Sequence, residues 1–243
     1  MTATEPTILA TSMGFDRGDR FDEVRPGPIF DLAADLAGAP ARPKLSVLVT
    51  AVGDDIRYRS MLYEAFAGTR FDVSHLALFP MPNVPDIREY LLAQDVVWVG
   101  GGSVANLLAV WRVHNLDTIF REAWEAGVVL GGVSAGSICW HEGGTTDSFG
   151  PDLRPVTNGL AYLPYGNGVH YDSEEQRRPL LHKLVGDGTL PVSHATDDGV
   201  GLVYRGTELA ETVSDQPGKY AYRVEPGAAG EAVETPLEPR PLR

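Results

Sequence analysis

The chain has 243 residues, 43% of them hydrophobic, with a formal net charge of −13. That length buries a full core and fits one large α/β domain with tails. The acidity excludes nucleic acid and anionic membrane as main partners, since both require clustered cations. Cys139 is the only cysteine, which excludes an internal disulfide and a cysteine-built zinc site and fits a reducing compartment. The opening stretch, MTATEPTILATSMGFDRGDR, has no basic n-region and no long apolar core. No run elsewhere approaches roughly 18 apolar residues. A cytoplasmic protein without a membrane segment is the expectation.

Residues 7–11 (TILAT) read as a first strand ending at Ser12, Met13 and Gly14. Residues 16–27 are polar and charged and read as a loop. Residues 28–36 (PIFDLAADL) have an early proline, apolar Ile29, Leu32, Ala33 and Leu36, and a stop at Gly38, which marks a short helix. Residues 45–52 (LSVLVTAV) form the continuous apolar run of a strand covered on both faces. A helical pattern follows over 56–67 and stops at Gly68, then a strand over 73–79 and a turn over 80–85. Asp86 reads as the cap of a helix over 87–93. Residues 95–99 (DVVWV) are a buried-type strand running into Gly100, Gly101 and Gly102. Val104, Leu107, Leu108 and Trp111 then share one helix face, and a second helix from Asp117 ends at Gly127.

Residues 128–140, VVLGGVSAGSICW, are the centre of the chain. An apolar run leads through Gly131 and Gly132 into Ser134, and only short side chains surround that serine. The composition suits a sharp strand-to-helix turn that lifts one hydroxyl above the end of a sheet. Exposed N–H groups at such a turn can stabilise a developing oxyanion.

Beyond the turn, residues 142–164 read as loops and short strands, and 177–185 as a helix. Its start is open between a Ser173/Gln176 capping box and a first turn at Pro179. Residues 200–204, 209–213 and 220–224 read as three strands of a C-terminal β meander. Residues 225–243 carry four prolines and read as a frayed Pro/Gly/Glu-rich tail. The division expected is a single α/β domain over 1–224 and a tail over 225–243. Strand–helix alternation with short connections predicts a mostly parallel, doubly wound sheet, with the site beyond the carboxyl ends of its strands.

A serine nucleophile needs a base in reach and a third group to orient that base. Of six histidines, His75, His114 and His182 sit in strand or helix runs and read as packing or surface residues. His141 follows the serine turn, and His194 precedes Asp197 in a strand-like stretch. His170 stands in the glycine-flanked segment Gly166-Asn167-Gly168-Val169-His170-Tyr171 and is the favoured base. Asp197 and Asp198, before Gly199, are the candidate acids, although a plain turn explains such a pair too. Cys139 reads as a small buried residue.

The ordered pieces resemble the peptidase E (aspartyl dipeptidase) family, with its flavodoxin-like, class I glutamine-amidotransferase-like fold. They are Val99–Gly102 (VGGG), Gly132–Gly136 (GVSAG), the Leu163-Pro164 approach to His170-Tyr171, Glu175-Gln176-Arg177, and Asp198-Gly199. The resemblance implies Ser134 as nucleophile, His170 as general base and Asp198 as triad acid, with Asp197 the fallback. It implies the N–H groups of Gly102 and Ala135 as oxyanion hole, and Gly101, Ser103, Glu174 and Arg177 at the substrate. No metal or cofactor is implied. The partners expected are a short peptide and, left open by the sequence, a second copy of the chain.

Three departures from the family pattern stand out. Ser103 replaces a frequent asparagine, Gly-Asn-Gly-Val precedes His170 in place of an Asn-Pro pair, and Glu174 stands where aspartyl dipeptidases have a basic residue. The resemblance implies a serine dipeptidase; Glu174 would repel a substrate carboxylate, so little preference for N-terminal aspartate is expected, in departure from the family. Two other readings are a cyanophycinase-like or other hydrolase of the same fold, and a non-catalytic binding protein on that scaffold.

Overall fold

Apolar runs of four or five residues alternate with amphipathic segments through the first half of the chain. Each becomes a strand or helix in the computed structural model, which describes residues 3–20, 23–38 and 40–242. In order they are β1 (Thr7–Thr11), β2 (Phe15–Arg17), β3 (Val24–Pro26), α1 (Pro28–Leu36), β4 (Lys44–Leu48), α2 (Ile56–Phe66) and β5 (Asp72–His75). Next come α3 (Ile87–Leu92), β6 (Val96–Val99), α4 (Val104–Val113), α5 (Leu116–Glu125), β7 (Val129–Val133) and α6 (Ala135–Ile138). The remainder is β8 (His141–Thr146), β9 (Arg154–Val156), β10 (Leu163–Gly168), α7 (Arg177–Gly186), β11 (Ser193–Thr196), β12 (Val200–Arg205), β13 (Glu208–Ser214), β14 (Ala221–Pro226), β15 (Ala232–Leu237) and β16 (Arg240–Pro241).

The large sheet has the order β16-β13-β12-β1-β7-β6-β4-β5. Strands β1, β7, β6, β4 and β5 run parallel, and β12 joins β1 antiparallel. Its central strands are covered on both faces, and successive side chains show it. Ile8, Val97, Val99 and Leu130 pack towards Leu107, Trp111 and Phe120 of α4 and α5. Leu9, Val96, Trp98 and Val129 pack towards Ile29, Phe30, Leu62 and Phe66 of α1 and α2. Each fully buried Leu, Ile, Val or Phe contributes roughly 1.5–3 kcal/mol. This two-sided burial is why those strands read as continuous apolar runs.

A second sheet, β15-β14-β11-β10-β8-β9, follows the serine turn. Its three central strands β8, β10 and β11 are parallel. Helix α7 covers it through Leu181, Leu184 and Val185, which meet Ala195 and Val224. The expected C-terminal meander is divided between the sheets: β12 and β13 form a hairpin on the large sheet, whereas β14 pairs with β11.

Four local expectations need correction. Residues 16–27 include the hairpin β2–β3, whose exposed ion pairs of Arg25 with Asp19 and Glu23 leave no apolar alternation to read. The strand expected over 45–52 stops at Leu48, and Thr50–Val52 form a 3-10 turn. That turn is apolar because α4 lies on it, with Trp111 Nε1 donating to Thr50 Oγ1 at 3.3 Å. The strand expected over 73–79 stops at His75. Beyond it, side chains take over the backbone: Ala77 N–H donates to Asn83 Oδ1 and Phe79 N–H to Asp54 Oδ2. The tail expected to fray is ordered over residues 226–242, where β15 pairs along its length with β14. It is also pinned through Glu234, which accepts from Arg178 Nη1 and from Tyr171 OH at 2.8 Å, and lies 2.8 Å from His182 Nε2. Composition cannot register an anchor made at such sequence distance.

Among the described residues no helix is long and apolar enough to cross a membrane.

Candidate active site

Strand β7 delivers Ser134 to the carboxyl end of the large sheet. The serine has φ 58° and ψ −115°, outside the regions a side chain prefers. Such a conformation costs on the order of 1–3 kcal/mol and persists only where the surroundings enforce it. They do so by close packing. A Cβ on Gly136 would lie 2.2 Å from Val99 O, and one on Gly132 would lie 2.6 Å from the same oxygen. Only glycine lets the turn press so closely on β6. The Ser134 N–H donates to Thr11 O at 3.1 Å, while Ser137 and Ile138 N–H donate to Ser134 O.

The loop after β6 lies against this serine. A Cβ on Gly101 would be 3.3 Å from Ser134 Cβ and 3.7 Å from its Oγ. Gly102 has φ 130° and approaches Ala51 O so closely that a Cβ there would be 2.6 Å away. Ser103 Oγ accepts from Asn106 N–H at 3.2 Å, so the hydroxyl expected at the substrate caps α4. The N–H groups of Gly102 and Ala135 donate to no protein acceptor among the described residues.

His170 and Asp198 come together from two loops of the second half of the chain. Nδ1 of His170 lies 2.6 Å from Oδ1 of Asp198. The imidazole is 24% exposed and the carboxylate 39%. Because a carboxylate only accepts, Nδ1 is the donor in this contact. His170 itself has φ 52°. Among the described residues no hydrogen bond joins Ser134 Oγ to the imidazole, an arrangement common in enzymes without substrate. Asp198 N–H donates to Asp172 Oδ1 at 2.9 Å, and Lys219 Nζ binds the other oxygen of Asp172. Burial raises the Asp172 carboxyl, but Lys219 and that N–H outweigh it and hold it below the usual range.

Asp197 turns elsewhere. Its Oδ2 accepts from Tyr220 N–H at 3.0 Å and Tyr222 OH at 3.2 Å, and the residue is 3% exposed. Burial raises its carboxyl above the ordinary value. Glu174 is not free either. Its Oε2 accepts from Arg177 Nε at 2.8 Å, and Arg177, only 2% exposed, also donates from Nη1 to Thr145 O. The expected free selector carboxylate is thus half of an ion pair. The depression beside it, about 610 Å³, is lined, among the described residues, by Asp147, Glu174, Glu175 and four uncharged residues.

Several residues at the site had no sequence signal of their own. Ser12 Oγ accepts the His170 N–H at 3.0 Å. Tyr58 of α2 fills the space over Gly100, its Cε1 3.3 Å from where a Cβ would be. Beneath the serine turn, His141 and His194 flank Tyr204 OH at 3.3 and 2.8 Å, and His141 Nδ1 donates to Ser137 O. Burial pushes His141 down to about 3 and His194 down to about 4, so both are neutral. Cys139 is fully buried, and burial pushes its thiol up, away from the nucleophilic form.

Fold and geometry together place the chain in a class, the α/β enzymes with a serine at a strand–helix turn. Within that class, residues 18–212 match Peptidase family S51. The chain belongs to that family, the peptidase E family, and is a peptidase of its serine type. It is 43% identical over 183 residues to "Uncharacterized peptidase YgaJ" of Bacillus subtilis (strain 168), covering 75% of this chain and 78% of that one. It is 27% identical over 161 residues to "Peptidase E" of Shewanella denitrificans, covering 63% of this chain and 66% of the relative. Two solved structures share the fold. A "Putative Peptidase E Protein" from Listeria monocytogenes EGD-e superposes with TM-score 0.59 at 14% identity, covering 97% of this chain and all of that one. A peptidase from an acI-B1 Actinobacterium does so with TM-score 0.65 at 15% identity, covering 95% and 97%.

Proposed function

We propose that the protein hydrolyses short peptides, dipeptides foremost, through an acyl-enzyme on Ser134. The observation that carries this reading is the 2.6 Å contact of His170 Nδ1 with Asp198 Oδ1, which fixes the tautomer whose Nε2 can take a proton. In the acylation step Ser134 Oγ attacks the scissile carbonyl and Nε2 of His170 takes the hydroxyl proton. Asp198 orients the imidazole and stabilises its cation. The N–H groups of Gly102 and Ala135 donate to the oxyanion, each such donor being worth about 2.7–4 kcal/mol. The tetrahedral intermediate collapses, the C–N bond breaks, and His170 gives its proton to the leaving amine. A water, deprotonated by the same imidazole, then attacks the ester and releases the acid and Ser134.

A preference for N-terminal aspartate requires a cation at the substrate side chain. Arg177 is buried and engaged by Glu174 and Thr145, and the neighbouring depression is acidic. These observations favour peptides with neutral or basic N-terminal residues. The test is a dipeptide library with mass-spectrometric readout, run beside Ser134→Ala. Cleavage by the wild type that disappears in the variant is expected. A Ser134→Ala protein with wild-type turnover overturns the reading.

A further inference from the structure

The last residue of β1 and the one after it touch all three loops that carry the proposed catalytic groups. Thr11 O accepts the Ser134 N–H at 3.1 Å, and the Thr11 hydroxyl proton is shared between Met13 O at 2.7 Å and Gly132 O at 3.0 Å. Ser12 O accepts the Gly199 N–H at 3.0 Å, next to Asp198. Ser12 Oγ accepts the His170 N–H at 3.0 Å, lies 2.7 Å from Thr196 Oγ1 and donates to Thr196 O at 3.2 Å. The hydroxyl thus has Thr196 and the His170 N–H as its partners, with one proton to give and its lone pairs to accept. The group is 6% exposed, so water does not readily replace a lost partner.

The bond to His170 has a particular consequence because of that residue's backbone. With φ 52°, His170 is held in the left-handed region, where a residue with a side chain rests only under constraint. The constraint comes from both sides of the residue: Ser12 Oγ holds the His170 N–H, and Thr196 O holds the Tyr171 N–H at 3.1 Å. Thr196 Oγ1 ties those two anchors together. If the N–H is released, the backbone can relax towards negative φ, and that rotation carries the imidazole away from Asp198.

We propose that Ser12 is the positioning residue for His170, holding the imidazole on Asp198 while the neighbouring Thr11 holds the serine turn. Two adjacent residues of one strand end thereby set the distance between nucleophile and base. The inference rests on the reading of Ser134, His170 and Asp198 as the catalytic set. Its role differs from packing, since a one-ångström misplacement of a catalytic group costs about 100-fold in rate.

The test uses Ser12→Ala, Ser12→Thr and the shape-preserving Thr196→Val in the full chain. Dipeptide kinetics and the downfield proton resonance of the His170 Nδ1–H bound to Asp198 are both measured. Ser12→Ala is expected to lower kcat about 10- to 100-fold with KM within about threefold, and to broaden or abolish that resonance. Ser12→Thr, which keeps the hydroxyl, is expected to restore both, and Thr196→Val to fall between. Should Ser12→Ala not fold, Thr196→Val carries the same comparison. A Ser12→Ala protein with the resonance and kcat of the wild type overturns the proposal and leaves the catalytic set intact. Turnover that survives His170→Ala overturns the catalytic set, and the resonance then still decides whether Ser12 holds His170.

Discussion

Asp197 and Asp198 are adjacent in the chain and serve opposite sides of one turn. Asp198 Oδ1 meets His170 Nδ1 at 2.6 Å, whereas Asp197 Oδ2 is taken by Tyr220 N–H and Tyr222 OH. The two carboxylates are therefore expected to separate cleanly by mutation. Asp198→Asn removes the acceptor that fixes the imidazole tautomer, and kcat should fall by about 10⁴. Asp197→Asn should cost stability first and kcat far less. Steady-state kinetics and thermal melting of both variants check this, and a larger loss of kcat in Asp197→Asn would move the acid by one residue.

The serine turn should tolerate no added carbon at Gly136. A Cβ there would stand 2.2 Å from Val99 O, a backbone atom that cannot swing aside. Gly136→Ala is expected to destabilise the fold by at least about 1–3 kcal/mol and to displace Ser134. Denaturant unfolding and dipeptide turnover measure the two effects. Wild-type values of both would contradict the packing account.

Stability should fall on mild acidification because two histidines are buried neutral. His141 is pushed down to about 3 and His194 down to about 4, burial being the first cause in each. The unfolded chain binds protons at these residues below about pH 6.5 and the folded chain does not. Their contribution is thus fully present above pH 6.5 and declines as pH falls towards 4 and 3. Each histidine adds a slope of about 1 kcal/mol per pH unit inside that window. Unfolding measured from pH 7.5 to 5 should show the decline, and His194→Gln should flatten it. A curve already flat in the wild type would contradict the buried neutral pair.

Much of the fold was legible because the central strands are buried on both faces and the helices have local stops and caps. Asp86 shows this well: its Oδ1 accepts from Glu89 N–H at 2.9 Å, as its place before an apolar run predicts. The serine turn was legible for the same reason, since Gly132, Ser134 and Gly136 are neighbours in sequence. What stayed hidden depends on contacts between distant segments. Which of two adjacent aspartates faces His170 is set by the direction of the chain leaving β11. The role of Ser12 is set by a loop 158 residues away, and a serine after a strand has no signature. The order beyond residue 225 comes from Glu234 reaching Tyr171, Arg178 and His182, while the local composition resembles a linker.

Substrate choice should follow the paired state of Arg177. With its Nε on Glu174 and Nη1 on Thr145 O, the buried guanidinium is not free to take a substrate carboxylate. The kcat/KM values for Asp-Leu, Ala-Leu and Arg-Leu should therefore differ little, or favour the neutral and basic peptides. An Asp-Leu preference of about tenfold or more would show that another cation reads the side chain.

If Ser134 is the nucleophile, covalent capture must find it. A fluorophosphonate reacts with a serine hydroxyl only where a base and oxyanion donors activate it. After labelling of the intact protein and proteolytic mass mapping, one adduct on Ser134 is expected, formed in step with loss of dipeptide turnover and absent from His170→Ala. An enzyme that keeps its turnover with Ser134 unmodified, or that loses it through an adduct on another residue, rules Ser134 out as the nucleophile.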